Sequence, residues 1–322
     1  MKKTKTKRNW SEYNRKLKSC ARIELYIHKD IYKNWYYAGK RSRGGKLIYA
    51  DAVIEMCLTV REYFKMALRQ SEGFLSSLFE KLNVNVKIPD YTTLSRRCKR
   101  LKIDFKTNIV RSKNEPLRLA IDSTGLSVMR RTGWHCTKHG GMKQITSQDN
   151  WRKVHILVDI DTFDILEAEY TQTNVNDCEM VKPLLDNVKG DVSEVYGDLG
   201  YDTFPARDAI RKRGARQVIP IKKTAVLSEE RRKKGRLKYP PETYKERDDV
   251  VRYLEYNSIN GDKRLADKNW KRQVGYHKRS LVEAQMSRIK AHTTDRLTNI
   301  REDNRRVQAM IKLKIVNLIN QI

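Results

Sequence analysis

Residues 117–129 read LRLAIDSTGLSVM, and their alternation of apolar and polar side chains is that of a β-strand. Two later segments alternate in the same way, WRKVHILVDI at 151–160 and ILEAEYTQT at 165–173. Turn-rich residues separate the three, which suits an antiparallel meander. A helix follows over 177–188, with Met180, Val181, Leu184, Leu185 and Val188 on its inner side. Next come a short strand SEVYGD (193–198), a helix near 204–213 closed by Gly214, and a strand RQVIPI (216–221).

Three antiparallel strands followed by alternating helix and strand is the chain order of the ribonuclease H fold. The expected class is therefore α/β, with a mixed sheet. Residues 222–272 break the rhythm: RRKKGRLKYPPETYKERDD (231–249) is basic, carries consecutive prolines, and reads as a loop or an inserted subdomain. A helix is expected from about Tyr276 to His292. Another is expected over 303–319, with Val307, Met310, Ile311, Leu313, Lys314, Leu318 and Ile319 near one broad face.

Upstream of the strands the texture is helical. Val53, Met56, Cys57, Val60, Phe64 and Leu68 recur at threes and fours, and a second helix runs through Phe74, Leu75, Leu78 and Phe79. In IPDYTTLSRRCKRL (88–101), Pro89-Asp90 is a start signal. Leu94, Cys98 and Leu101 then face inward and leave Arg96, Arg97, Lys99 and Arg100 outside. A bundle ending in such a helix has the form of a helix-turn-helix reader; an amphipathic helix with a solvated basic face has the same pattern. The leader, MKKTKTKRNWSEYNRKLKSC, reads either as a solvated tail or as an arm on phosphates.

The 68 Lys and Arg against 39 Asp and Glu, a formal charge of +29, make a field that draws a polyanion. Charge names that partner class and no reaction. Five cysteines, none in a C-x-x-C pair, give no disulfide framework and suit a reducing cytoplasm. With no apolar run of about 18 residues, a membrane span is not expected. His135, Cys136 and His139 in WHCTKHG fit no common four-ligand zinc spacing. No G-x-x-x-x-G-K-[ST] loop is present, so no nucleotide cofactor is expected. Ser123 has no base paired with it by sequence, Asp159 and Asp161 read as a turn, and neither His155 nor His292 has support for a catalytic part.

In so basic a chain, an acidic residue on an apolar strand asks for a partner. Asp122 lies opposite the side of Leu119 and Ile121, and a carboxylate buried there needs a cation, a metal or hydrogen-bond donors. Asp198 ends SEVYGD before a tight turn at Gly200, a place suited to hard cations. Either alone also reads as a turn or cap residue. Tyr276, Arg279, Glu283 and Lys290 sit at offsets 0, 3, 7 and 14, which on one helix fall within an arc of about 60°. That face is a solvated ion-pair stripe or a functional one.

The spacing Y-x2-R-x3-E-x6-K is similar to the signature of a large group of bacterial insertion-sequence transposases. AIDSTGL around Asp122, GDLGYDT around Asp198, WRKVHILVD and PDYTTLSRR also resemble the family that contains insertion sequences five and 903, nearest the 903 branch. The resemblance covers most of the chain from about Tyr13. It implies a transposase in which Asp122, Asp198 and Glu283 bind two divalent ions, Mg2+ with Mn2+ as a substitute, for in-line phosphoryl transfer. It implies DNA contacts by Tyr276, Arg279 and Lys290, with Arg96, Arg97 and Arg100 added from the basic helix. Trp270 reads as a packed aromatic or as a stacking platform for a base.

The expected division is a leader (1–20), a helical DNA-binding domain (21–112) and a ribonuclease-H-like catalytic domain (113–322) with an insertion at about 222–272. The expected partners are the element's terminal inverted repeats and target DNA, bound by a homodimer or larger assembly in the bacterial cytoplasm at the nucleoid. A DNA-binding repressor without cleavage and a ribonuclease-H-like nuclease or resolvase are the other readings.

Overall fold

The computed structural model describes residues 9–28, 30–40, 46–104, 115–128, 151–233, 235 and 238–322. These fall into two units: a helical one, containing the described residues up to 104 with 292–294 and 299–322, and a sheet-containing one.

The helical unit begins with α1 (Trp10–Cys20), inside the stretch expected to be a basic leader; Asn9 caps it by accepting from the Glu12 amide, and it buries no residue. At its centre lies α2 (Asp51–Tyr63), buried on nearly every side through Val53, Ile54, Met56, Cys57, Leu58 and Val60. A helix apolar most of the way round belongs inside a bundle. The stripe read from Val53 to Leu68 is broken after Tyr63: Lys65 is left-handed (φ 56), Phe64 is exposed, and Leu68 opens α3 (Leu68–Lys81). α4 (Tyr91–Cys98) starts where Pro89-Asp90 signals it, the Asp90 carboxylate accepting from the Thr92 and Thr93 amides at 2.9 Å. Leu94, Cys98 and Leu101 enter the core as expected.

Arg97 does not stay outside. It is buried, donating from Nη1 to the Tyr49 carbonyl at 3.0 Å and from Nη2 to Asp51 at 2.6 Å. Position 97 is three residues after Leu94 and four before Leu101, so it belongs to the inner face. Arg96, Lys99 and Arg100 are exposed.

The sheet-containing unit holds β1 (Leu117–Val128), β2 (Trp151–Asp159) and β3 (Ile165–Thr171), then α5 (Val181–Asn187) after a 3-10 turn. β4 (Val192–Tyr196), α6 (Phe204–Lys212) and β5 (Arg216–Val218) follow. Among the described residues the sheet order is β3-β2-β1-β4-β5. β2 runs antiparallel to β1 and β3, while β4 runs parallel to β1 and β5. Leu119 and Ile121 pack with Leu184, Leu185, Ala206 and Ile210 on one side of β1. Period-two alternation sends Asp122 to the other.

Within 222–272, expected as a loop or an inserted subdomain, the structure has three helices: α7 (Ser228–Lys233), α8 (Pro241–Tyr256) and α9 (Arg264–Gln273). Pro241 is the first residue of α8, where a missing amide costs nothing. Val250 and Leu254 pack with Ala266 and Trp270, so Trp270 is a core aromatic. After α9, Gly275 (φ 68) turns the chain into a 3-10 turn, Tyr276–Arg279, and the regular helix α10 (Ser280–His292) begins only at Ser280. The expected single helix from Tyr276 is thus a turn joined to a helix. β6 (Arg296–Leu297) pairs with the end of β1 in parallel.

The last helix, α11 (Glu302–Asn320), matches its expected span but groups with the helical unit, although residues 113–322 were expected to form one domain. Val307, Ile311, Ile315 and Ile319, each four apart, join the same core as α2 and α4. Lys312 is buried there against Glu62 at 3.1 Å, which neutralises a charge that the core alone would not tolerate.

Candidate active site

In the parallel register of β1 and β4, Ala120 pairs with Tyr196. Asp122 and Asp198 each lie two residues further along, so two segments far apart in sequence deliver carboxylates to the same end of neighbouring strands. Asp122 is held in the strand, its side chain 17% exposed, with Oδ1 accepting from the Ser123 amide at 2.8 Å. Asp198 caps a short 3-10 turn, Leu199–Tyr201, its Oδ1 accepting from the Gly200 amide at 2.7 Å.

Two glycines make this turn possible. A Cβ on Gly197 would stand 3.2 Å from the Tyr201 ring, and one on Gly200 would stand 3.0 Å from Asp198 Oδ1. Both are tighter than ordinary carbon contacts, so the GDLGY run has a steric basis.

Glu283 occupies the first turn of α10, where the helix dipole favours an anion, and its side chain is 53% exposed. The 3-10 turn before it lies against both β1 and β4. That places Arg279 between the acids: Nη1 donates to Asp122 Oδ2 at 3.2 Å, and Nη2 donates to Glu283 Oε1. Arg279 is itself only 18% exposed. Its guanidinium also lies 6.0 Å from the centre of the Tyr276 ring, and Lys271 Nζ lies 5.6 Å from that ring.

The electrostatics agree with the geometry. Burial raises the pKa of Asp122, and the negative charges of Asp198 and Glu283 raise it further; the Ser123 amide and Arg279 oppose this without reversing it. Burial alone would lower the pKa of Arg279, but its bond to Glu283 and the surrounding acids outweigh that and raise it. The three carboxylates therefore share one field, with a cation already within it.

Their all-oxygen donor set fits a hard divalent ion. Among the described residues, no three His, Cys, Asp or Glu side chains meet closely enough to hold one ion as they stand. The positive charge between Asp122 and Glu283 is supplied by Arg279, which is bonded to both. The donors fit, provided that the guanidinium gives way.

The other expected residues are distributed as follows. Tyr276 is half-buried beside Arg279, and Lys290 is exposed two turns beyond Glu283 on α10. Arg96, Arg97 and Arg100 belong to the helical unit, with Arg97 committed to structure. Asp159 makes a turn, accepting from the Asp161 amide and the Thr162 hydroxyl. Ser123 pairs in register with His155, on the side of the sheet away from Asp122, and His155 Nε2 is engaged with the Thr171 hydroxyl at 2.8 Å. His135, Cys136 and His139 lie outside the described residues.

Sequence reasoning missed Asp202. Its carboxylate is buried and accepts from Arg207 at 2.9 Å, from Arg247 of α8 at 3.2 Å and from the Lys222 amide at 2.9 Å. Four residues after Asp198, it ties the turn to the insertion. The doubled aspartate in GDLGYDT was a signal for it, but the partners are 5 and 45 residues away.

Comparison with known proteins adds the family. One profile described as Transposase DDE domain matches residues 18–131, and a second with the same description matches residues 113–319. A solved structure, the piggyBac transposase synaptic complex with hairpin DNA determined by cryo-EM, aligns over 94% of this chain and 74% of that one. Identity there is 12% and the TM-score 0.43, too distant to bear on function. With the second profile spanning more than half of the sequence, the chain belongs to the transposases with a DDE domain, enzymes that cut and transfer DNA.

Proposed function

We propose that this transposase recognises the terminal inverted repeats of an insertion sequence and cuts and joins DNA on a ribonuclease-H-like core, with Asp122, Asp198 and Glu283 as its acidic triad. The observation that carries this reading is the convergence of a strand, a turn and a helix on one electrostatic site, with Asp122 and Glu283 bridged by a single arginine. The strand order β3-β2-β1-β4-β5, with β2 antiparallel to its neighbours, supports the choice of core.

Family membership implies a divalent metal. Two Mg2+ ions held by the triad, or Mn2+ in their place, would supply charge neutralisation and activation of the attacking oxygen. The residues themselves set the geometry. Asp122 is fixed by a central strand and the Ser123 amide; Asp198 is fixed by its cap. Glu283 is more exposed, on the first turn of its helix. Arg279 and Lys290 are cations suited to the phosphates flanking the scissile bond, and Tyr276 is placed to donate to a phosphate or support a base.

In cleavage a water oxygen bonds to phosphorus as the bond to the 3′-oxygen breaks, leaving a 3′-hydroxyl on the element. In joining, that hydroxyl loses its proton and attacks a target phosphorus, expelling a second 3′-oxygen. No protein nucleophile takes part, and catalysis is positioning and electrostatics. Exposed Arg96 and Arg100 are assigned to DNA phosphates, and two ends must be held together, so the working form is a homodimer or larger.

The test is substrate choice. A duplex carrying the repeat boundary should be bound in preference to unrelated DNA and cut at the boundary with Mg2+. Cutting of an RNA–DNA hybrid in preference to that duplex would replace this reading with a ribonuclease.

A further inference from the structure

Among the contacts at the site, that of Arg279 is the least expected. A residue assigned to a DNA phosphate instead divides its two terminal nitrogens between Asp122 and Glu283. We propose that Arg279 is an internal counter-ion that keeps the acidic site closed to divalent metal until DNA draws it away, so that metal loading and DNA engagement are coupled. This rests on the triad reading above.

Two cations cannot use the same carboxylate lone pairs. Charge-assisted hydrogen bonds are among the stronger ones a protein makes, and these form in a half-buried setting. Metal bound through Asp122 Oδ2 and Glu283 Oε1 displaces the guanidinium, and whatever offers it another anion favours that step. A phosphodiester is such an anion, with geometry that a guanidinium fork matches.

The surroundings favour this exchange. Arg279 sits on a 3-10 turn entered through left-handed Gly275, and not within the regular α10 helix. Its own end of the site is bounded by the Tyr276 ring and Lys271. Leading up to it, α9 carries Arg264, Lys268 and Arg272 exposed at intervals of four, one basic row along which a DNA backbone can approach. By reciprocity, a phosphate that binds Arg279 raises metal affinity, and metal that frees Arg279 raises affinity for the phosphate. The consequence is a transposase that does not load metal for cleavage before it holds DNA.

The test is Mn2+ binding to the full-length protein without DNA, read as the loss of the free-ion electron paramagnetic resonance signal. Arg279→Ala should bind Mn2+ more tightly than wild type, by about tenfold or more. Arg279→Gln, which keeps the bulk and a donor but loses the charge, should also bind more tightly and guards against misfolding of the alanine variant. A short duplex should tighten Mn2+ binding more in wild type than in either variant. Glu283→Gln and Asp122→Asn, measured alongside, should weaken it. If these two weaken Mn2+ binding and neither Arg279 variant strengthens it, the counter-ion role is wrong and the triad stands. If neither carboxylate change affects Mn2+, the triad reading itself fails.

Discussion

Arg279 and Asp122 are 157 positions apart in the chain, yet Nη1 of one lies 3.2 Å from Oδ2 of the other. The strand partner is fixed by its neighbours in the sheet; the other partner rides on a turn. The pair joins the centre of the sheet to the segment that presents Glu283, and with the Ser123 amide it offsets part of the cost of enclosing that carboxylate.

The turn that presents Asp198 depends on a missing side chain. In Gly197→Ala, the new methyl would meet the Tyr201 ring at 3.2 Å, and a packed aromatic yields less readily than a flexible chain end. Overpacking of this kind costs about 1–3 kcal/mol. Strand cleavage should fall by more than stability does, because Gly197 adjoins Asp198 and Tyr201 ends the turn that Asp198 caps. Cleavage rates equal to wild type would show that the turn tolerates the shift.

Asp202 should matter for folding. Asp202→Ala leaves the buried guanidiniums of Arg207 and Arg247 without their carboxylate, and such a loss costs about 3–5 kcal/mol. Urea denaturation of the variant should show the midpoint lowered accordingly. A midpoint unchanged from wild type would mean that the ion cluster adds nothing.

The basic helix α4 separates two kinds of arginine. Arg97→Ala should destabilise by about 1–3 kcal/mol, because it removes buried charge-assisted hydrogen bonds to Tyr49 and Asp51. Arg100→Ala, at an exposed position, should leave stability within about 0.5 kcal/mol while reducing the salt dependence of DNA binding. Equal thermal shifts in the two variants would contradict the assignment.

Stability should carry an acid-side signature of His155. Burial lowers its pKa from 6.5 to about 4, against the opposing influence of Asp177 and with that of Lys153. Between those values the unfolded chain binds a proton that the native state refuses. Stability is therefore complete above pH 6.5 and declines as pH falls toward 4, by on the order of 3 kcal/mol from this group. His155→Gln should flatten that part of the pH–stability curve; an unaltered slope would assign the decline to other groups.

Much of this was legible from residues. Alternation marked β1, β2 and β3, although residues 154–159 of β2 are buried on both faces, and Asp122 stood out as a polar break in an apolar strand. What stayed hidden depended on partners. Arg97 lies on the inner face by its spacing, but only Tyr49 and Asp51, more than forty positions earlier, make its burial affordable. The stripe on α11 is plain, whereas its packing on α2 and α4 cannot be inferred from periodicity. Tyr276 and Arg279 keep helical spacing with Glu283 across a 3-10 turn, so spacing suggested a continuous helix. The Pro-Pro pair left loop and inserted subdomain both open, because a proline at the first position of a helix and one within a loop look alike without context.

The most direct test of the central claim is strand cleavage with Mg2+ on DNA carrying the element's own flanking inverted repeats, with Asp122→Asn, Asp198→Asn and Glu283→Gln beside wild type. Wild type alone should cut at the repeat boundary, with each variant still binding the repeat. Full cleavage by Glu283→Gln, or by either aspartate variant, would contradict that claim.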